Sequence, residues 1–251
     1  MTYQSTCRVL HAERLPGAMS LLVLDAPDVA WAARPGQFVM VRCDDLTLRR
    51  PLSIHAADDG RLALLFRVTG AGTEWLSGIE AGASVSLTGP LGNGYGMPPA
   101  GSRVLMMAGG MGIAPLSFLA ARLPRDCDAT LVYGARSAAE LYRAPDALRR
   151  LMPAVCRLDA LRMLTATDDG STGLHGSALD AASRRDQTAV ASWLRCLLAE
   201  RRDDLDDVGD ALVREPLEQL AGGLVVADRH LAVHVDRAGV EAGLELEHRD
   251  A

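Results

Sequence analysis

Hydrophobic positions in the first third of the chain come in short runs that are separated by turn residues. Four apolar, β-favouring runs predict strands, and they lie at residues 20–24, 37–42, 62–68 and 83–87. Pro35-Gly36 separates two of the runs, and Asp58-Asp59-Gly60 is typical of a hairpin tip. Short strands joined by tight turns predict a small antiparallel β-barrel over about residues 7 to 88.

The pattern changes after a Gly/Pro-rich connection at residues 89–101. Apolar strands then alternate with helical segments, as strands at residues 103–108, 129–133 and 162–166 and helices at residues 115–123 and 138–151. Strands that alternate with helices predict a parallel α/β sheet with right-handed crossovers. We therefore expect one domain over residues 1–99 and a second over residues 100–180.

Residues 181–251 differ from both regions, because they are rich in Arg, Asp, Ala and Leu and contain no recognisable motif. The segments 187–200 and 208–220 are typical of helices. All 26 basic residues of the chain are arginines, which indicates a gene biased towards G and C. We expect residues 181–251 to form an atypical tail.

The composition argues against several classes of protein. The formal net charge is −6 and no dense basic run is present, so nucleic acid is not an expected partner. The five cysteines are far apart and odd in number, which is neither a disulfide framework nor a metal-ligand spacing. These thiols are expected to be buried or incidental in a reducing compartment.

Two stretches bear on location. The N-terminus lacks the basic start and apolar run of a signal peptide, so the cytoplasm is the expected location. Residues 104–121 carry no charge, but Gly109, Gly110, Gly112 and Pro115 interrupt them. This interruption favours a buried strand, a turn and a helix over a membrane-spanning helix, and no membrane association is expected.

The segment Arg50-Pro51-Leu52-Ser53 is the first candidate for chemistry. It puts a guanidinium at the end of a strand, followed by a proline that fixes the backbone and by a small hydroxyl. An arginine fork suits a phosphate, and Ser53 can hydrogen-bond to the edge of a ring without blocking it. An exposed arginine before a proline turn is the alternative for this segment alone.

A second segment, Phe66 to Thr73, follows at a distance that suits the next strand and the turn or helix start after it. Backbone amides around Gly72 and Thr73 can bind a further phosphate oxygen. Together the two segments favour binding of a dinucleotide-type flavin.

A third segment, Gly109-Gly110-Met111-Gly112, comes directly after a predicted strand and opens a helix. Without Cβ atoms the backbone can approach a pyrophosphate, and a helix N-terminus offers amide donors. The spacing is not the G-x-G-x-x-G fingerprint, so a glycine turn that only lets a helix pack on a strand is the alternative.

Two further turns carry less specific information. Gly89-Pro90-Leu91-Gly92-Asn93-Gly94 predicts a shaped loop between the domains, with a plain hinge as the alternative. Thr167-Asp168-Asp169-Gly170-Ser171 ends the third strand, where open α/β sheets place ligands, although a simple Asp-Gly turn explains it equally well.

Taken in order, the barrel and these five motifs resemble the electron-transfer subunit of class 1B dihydroorotate dehydrogenase, in the ferredoxin–NADP reductase superfamily. The resemblance covers roughly residues 5 to 180. It implies an antiparallel flavin-binding barrel followed by a parallel-sheet nucleotide-binding domain. It also implies residues that hold FAD, namely Arg50, Pro51, Leu52, Ser53, Arg67, Val68, Thr69, Gly72 and Thr73, and residues that face NADH, namely Gly109, Gly110 and Gly112.

The resemblance implies an electron path as well. Hydride passes from NADH to FAD, and electrons then leave singly through a [2Fe-2S] cluster. They reach the FMN of a separate catalytic subunit that oxidises dihydroorotate to orotate in pyrimidine biosynthesis. A hetero-oligomer with that subunit is therefore the expected assembly.

The tail departs from this family. The C-x4-C-x2-C array of the cluster and the Cys-Gly-Pro element are missing, and Cys196 is the only cysteine after residue 180. We hypothesise that the reading frame changes near residue 180 to 190. Translation of the other two frames tests this, because a frame that encodes the cysteine array is expected.

Because the tail lacks the cysteine array, three alternatives to the expected subunit stay open. The chain is a cluster-free NAD(P)H-dependent flavin oxidoreductase, a reductase subunit of another complex, or a non-catalytic flavin-binding docking module. The residues do not discriminate between NADH and NADPH.

Overall fold

The first part of the chain forms a closed six-stranded barrel in a computed structural model that describes residues 1–44, 46–152, 161–185, 223–227 and 231–234. Every pairing in the barrel is antiparallel, in the order β1-β2-β5-β4-β3-β6. The strands are β1 (Tyr3–Leu15), β2 (Met19–Asp25), β3 (Phe38–Val41), β4 (Arg50–Asp58), β5 (Arg61–Arg67) and β6 (Ser84–Leu91). The predicted barrel is confirmed.

The predicted hairpin tip joins β4 to β5. Asp59 and Gly60 both have positive φ, 48° and 74°, which is the backbone of a two-residue turn that matches the twist of its strands. Two short helices complete this body, α1 (Pro27–Ala32) and α2 (Ala71–Ser77). β1, β4 and α1 were not among the predicted elements.

The barrel interior holds two of the five cysteines. Cys7 and Cys43 are buried among Leu and Val side chains, and burial raises the pKa of Cys7 to about 11. Burial also raises the pKa of Cys43. These thiols therefore stay protonated and pack as small apolar groups. Cys127 is partly exposed, and Cys156 and Cys196 lie outside the described residues.

The second body is a six-stranded sheet in the order β10-β9-β8-β7-β11-β12. Its strands are β7 (Arg103–Gly109), β8 (Asp128–Ala135), β9 (Arg162–Thr167), β10 (Leu174–His175), β11 (Gly223–Ala227) and β12 (Leu231–His234), and its helices are α3 (Ile113–Arg122), α4 (Ala144–Leu151) and α5 (Ala178–Arg185). The three predicted strands, β7, β8 and β9, are parallel as expected, and β10 adds a fourth parallel strand that was not predicted.

Two details differ from the expected parallel α/β pattern. β11 pairs antiparallel with both β7 and β12, so the whole sheet is mixed. The predicted helix at residues 138–151 is broken into a 3₁₀ turn (Ala138–Glu140) and α4. The break has a local cause, since Pro145 has no N–H and fits only in the first turn of a helix. The helices predicted at 187–200 and 208–220 lie outside the described residues, and the frame change near residue 180 to 190 stays a prediction.

The two bodies share one apolar interface. Along β2, Leu22 and Leu24 point into the barrel, while Met19, Leu21 and Val23 join the cluster that also contains residues of β7, β8 and α3. Such a strand is buried on both faces, which explains why four consecutive apolar residues follow Ser20 in it. The packed interface holds the end of β4 against the start of α3.

The uncharged stretch at residues 104–121 is divided between β7 and α3, as the glycines and the proline predicted. In the part of the chain that the structure describes, no helix combines the length and the apolar character that crossing a bilayer requires.

Candidate functional site

Arg50 and Gly72 come together at the open end of the barrel. Arg50 begins β4, opposite Val41 of β3, and its Nη1 donates to the carbonyl oxygen of Leu48 at 3.0 Å. A Cβ atom on Gly72 would lie 2.5 Å from Nε of Arg50. The guanidinium therefore crosses the start of α2 at a place where only glycine leaves room. The fold of the barrel therefore brings together Arg50 and Gly72, which are more than twenty residues apart in the sequence and belong to two motifs that we had linked.

The neighbouring arginine is used differently. Arg49 reaches the carbonyl oxygens of Met40 and Ser86 at 3.4 and 3.5 Å, and the Ser86 hydroxyl at 3.4 Å. It ties the β4 end to β3 and β6. Of the two adjacent arginines, Arg50 is the one that faces α2.

Thr73 shapes the loop before α2. Its hydroxyl oxygen accepts hydrogen bonds from the backbone N–H groups of Thr69 and Gly70 at 2.9 and 3.2 Å, and it donates to the Gly70 carbonyl oxygen at 2.9 Å. Val68 donates its N–H to the carbonyl oxygen of Ala18 at 2.8 Å. The loop between β5 and α2 is thus held in one shape by its own side chain and by the β1–β2 turn.

Arg67, at the end of β5, points to the second body. Its Nη1 and Nη2 both lie 3.3 Å from Oε2 of Glu140, and Arg136 approaches Oε1 of the same carboxylate at 2.8 Å. The Nε of Arg67 is buried and has no hydrogen-bond partner among the described residues. The motifs grouped Arg67 with Arg50. In the structure, however, the two terminal nitrogens of Arg67 bind Glu140, a residue that the sequence motifs did not include.

The glycine turn lies where the sequence predicted it. Gly109 ends β7, Gly110 has a φ of 51°, and Gly112 precedes α3. A Cβ atom on Gly110 would meet no atom within 4 Å, so the backbone faces open space there. A positive φ beside open space leaves the chain free to approach a ligand closely.

The loop after β6 is shaped rather than loose. Gln37 donates from Nε2 to the Gly92 carbonyl oxygen at 2.7 Å, and the Tyr95 N–H donates to the Pro35 carbonyl oxygen at the same distance. The Tyr95 hydroxyl is buried without a hydrogen-bond partner in the described part of the chain, and burial raises its pKa. Tyr95 was not singled out in the sequence, because a single aromatic residue in a glycine-rich loop carries no pattern.

The turn after β9 is closed on itself. Oδ1 of Asp169 accepts from the N–H of Ser171 at 2.9 Å and from its hydroxyl at 2.6 Å, and these bonds lower the pKa of the carboxyl. The Ser171 oxygen in turn accepts the N–H of Ala138 at 2.8 Å. This turn therefore joins the carboxyl ends of β8 and β9, and an Asp-Gly turn describes it well.

Comparisons with known proteins find relatives of this chain, although no family model matches it. The dihydroorotate dehydrogenase B (NAD(+)) electron transfer subunit of Desulforamulus reducens is 44% identical over 163 residues, which cover 61% of this chain and 57% of that protein. The resemblance inferred from the motifs is confirmed. The same subunit of Caldanaerobacter subterraneus is 32% identical over 181 residues, which cover 70% of this chain and 65% of that protein.

The chain thus spans less than two thirds of the length of these relatives. Solved structures agree on the fold. A cytochrome P450 reductase from Amycolatopsis superposes with a TM-score of 0.61 at 26% identity, over 75% of this chain and 59% of that one. An NADH-dependent reduced ferredoxin-NADP oxidoreductase gives 0.61 at 25% identity, over 78% of this chain and 72% of that one. The fold is of the ferredoxin reductase type.

Proposed function

We propose that the chain is an electron-transfer subunit that takes hydride from NADH onto FAD and passes electrons to an FMN-containing dihydroorotate dehydrogenase catalytic subunit in a hetero-oligomer. The 44% identity to a subunit of that name supports the proposal. The observation that carries the flavin part is the approach of Arg50 to Gly72. In this proposal residues 1–99 form the FAD domain, residues 100–180 the NAD domain and residues 181–251 the tail.

The residues present fit a flavin dinucleotide. Arg50 supplies a guanidinium fork for a phosphate, beside a glycine backbone that leaves room for it. Three buried polar atoms have no hydrogen-bond partner among the described residues, namely Nε of Arg67 and the hydroxyls of Tyr95 and Ser20, and of these only Arg67 belongs to the proposed flavin segments. Bound FAD would accept two electrons as hydride and release them singly.

The proposed FAD residues are those of the two barrel segments, namely Arg50, Pro51, Leu52, Ser53, Arg67, Val68, Thr69, Gly72 and Thr73. Thr73 acts by shaping its loop, and Arg50 by its charge. Gly109, Gly110 and Gly112 would face the nicotinamide nucleotide through their backbone. The apolar interface between the two bodies would keep bulk water from the space between them.

A [2Fe-2S] cluster does not fit the residues present. Four thiolates are required, whereas Cys196 is the only cysteine after residue 180. Among the described residues no group of three or more His, Cys, Asp or Glu side chains could hold a metal ion. This favours a second candidate function, a cluster-free NAD(P)H-dependent flavin oxidoreductase that delivers electrons to a soluble acceptor or to another complex.

The test begins with FAD binding by the full chain, measured through flavin fluorescence. Arg50→Ala is expected to weaken FAD binding about tenfold, the effect of one lost charge-assisted hydrogen bond. Arg8→Ala removes an exposed arginine of β1 and is the matched control. Equal affinities for the two variants would contradict the flavin site.

Electron transfer is tested next, by following the flavin absorbance after addition of NADH or NADPH. Bleaching that is followed by reduction of orotate to dihydroorotate by the catalytic subunit supports the proposed function, because electrons from NADH can reduce orotate and cannot form it. Bleaching with electron transfer only to ferricyanide supports the second candidate. Flavin bands that persist would leave a flavin-binding docking module.

A further inference from the structure

His55 is a buried polar residue at a break in the pairing of β4. The register between β4 and β5 shifts between Ile54 and Ala56, which is a β-bulge. Ile54 and Ala57 point into the barrel, whereas Ala56 joins the interface cluster and the His55 ring bonds to the second body. The bulge places two successive side chains on the outer face, and it aims His55 across the interface.

Both ring nitrogens of His55 are used. Nδ1 lies 3.0 Å from the carbonyl oxygen of Ala114, and Nε2 lies 3.1 Å from the hydroxyl oxygen of Tyr142. A carbonyl can only accept, so Nδ1 carries the proton and Nε2 accepts the Tyr142 hydroxyl proton. The side chain is 0% exposed, and the Tyr142 ring meets it edge-on at 5.4 Å. One tautomer and one ring orientation satisfy all of these contacts.

His55 and its partner Ala114 each lie beside one of the two proposed ligand sites. His55 is two residues after Ser53, and Ala114 is two residues after Gly112. The first hydrogen bond therefore joins the strand proposed to hold the flavin to the helix start that follows the glycine turn. Through Tyr142, whose N–H donates to the Tyr133 hydroxyl at 3.4 Å, the link continues to β8.

Apolar packing alone would not fix the distance between β4 and α3. The interface cluster of Leu, Val and Ala side chains can accommodate small shifts between the bodies, since apolar contact is not directional. A buried imidazole with two partners loses a hydrogen bond in any shift, and an unsatisfied buried nitrogen is costly. The histidine therefore favours one relative position of β4 and α3.

We propose that His55 is a positioning residue, which sets the distance between the flavin-binding strand and the nucleotide-binding turn through Ala114 and Tyr142. This inference rests on the proposed function. A change at His55 should therefore lower the rate of hydride transfer more than it lowers the affinity for FAD or NADH. The reason is that the transfer rate is far more sensitive to the distance between the two ligands.

The experiment compares flavin reduction by NADH in anaerobic stopped-flow measurements of the wild-type chain and four variants. His55→Phe removes both hydrogen bonds, His55→Asn keeps a donor near Nδ1, and Tyr142→Phe removes only the hydroxyl. Glu13→Gln breaks another link across the same interface, the ion pair with Arg150, and is the control.

We expect His55→Phe to lower the limiting reduction rate about tenfold and Tyr142→Phe about threefold, with His55→Asn between Tyr142→Phe and the wild type. The deuterium isotope effect with 4-deuterated NADH should rise in the slow variants. The FAD affinity from fluorescence and the NADH affinity from the rate titration should stay within about twofold. Glu13→Gln should match the wild type in every measurement.

Limiting rates of Tyr142→Phe and His55→Phe equal to that of the wild type would overturn the inference. A loss confined to FAD or NADH affinity would also overturn it. If His55→Phe does not fold, Tyr142→Phe decides. A wild-type chain that binds FAD but is not reduced by NADH would defeat the proposed function itself, and the inference with it.

Discussion

In the proposed function, the barrel site, formed by Arg50 and Gly72, and the glycine turn, Gly109 to Gly112, are two ways for the chain to approach a phosphate-bearing ligand. The barrel site joins a side chain, Arg50, to a glycine more than twenty residues away, and the glycine is needed for the room it leaves. The turn is one contiguous segment in which Gly110 is needed for its positive φ. A site built from separated segments depends on the whole fold, whereas a contiguous site depends on local backbone chemistry.

The pH dependence of stability tests whether the two regions are held together through His55. Burial lowers the pKa of His55 to about 4, from an ordinary value near 6.5. Between these pH values the unfolded chain binds the proton and the folded chain does not, so stability is lost as the pH falls from about 6.5 towards 4. The loss amounts to about 3 kcal/mol in the free energy of unfolding.

The measurement is urea unfolding at several pH values. His55→Asn removes the titrating group, so its pH slope should be shallower than that of the wild type. Glu13→Gln breaks the ion pair with Arg150 across the same interface and is the control. Equal slopes for wild type and His55→Asn would mean that the histidine is not held neutral in the folded chain.

Gly72→Ala breaks the barrel site alone. Its Cβ atom would displace the Arg50 side chain, so we expect FAD affinity to fall about tenfold with little change in unfolding free energy. Gly70 is extended, and a Cβ atom there meets nothing within 4 Å, which makes Gly70→Ala the matched control. Fluorescence titration with FAD distinguishes the two, and equal affinities would contradict the role of Arg50.

Gly110→Ala changes the glycine turn and leaves the barrel site intact. The positive φ predicts a loss of about 1 kcal/mol in stability, and the added methyl group on the open face predicts weaker NADH binding with FAD affinity unchanged. Gly101 also has a positive φ and open space but lies before β7. Gly101→Ala should therefore lose similar stability and keep NADH affinity, as measured by thermal unfolding and by rate titration.

Glu140→Gln should have the smallest effect. It removes the charge that pairs with Arg67 across the two bodies and with Arg136 within the second body, and the Glu140 side chain is only 18% exposed. Glutamine keeps a side-chain oxygen that can accept hydrogen bonds from Arg67, so we expect a loss of about 1 kcal/mol and an FAD affinity reduced about threefold at most. A tenfold loss in the fluorescence titration would instead make Glu140 essential to the flavin site.

Several predictions from the sequence were accurate because their causes are local. The strand, turn and helix around Gly109 to Gly112 depend on apolar runs and on glycine chemistry that neighbours along the chain supply. The prediction failed where the local pattern is weak or interrupted. β1 alternates mostly half-buried and exposed positions and contains a bulge between Val9 and His11, and Pro145 divides the helix expected at 138–151.

The order of the elements, a barrel followed by parallel strands, follows from the sequence, as do the motifs that carry the family resemblance. The partners that those motifs meet follow from the tertiary structure. It brings Arg50 to Gly72, gives the terminal nitrogens of Arg67 to Glu140, and sets His55 against Ala114. The physical reason is that barrel closure and interface packing bring together residues far apart in the chain, and these distances leave no periodic pattern in the sequence.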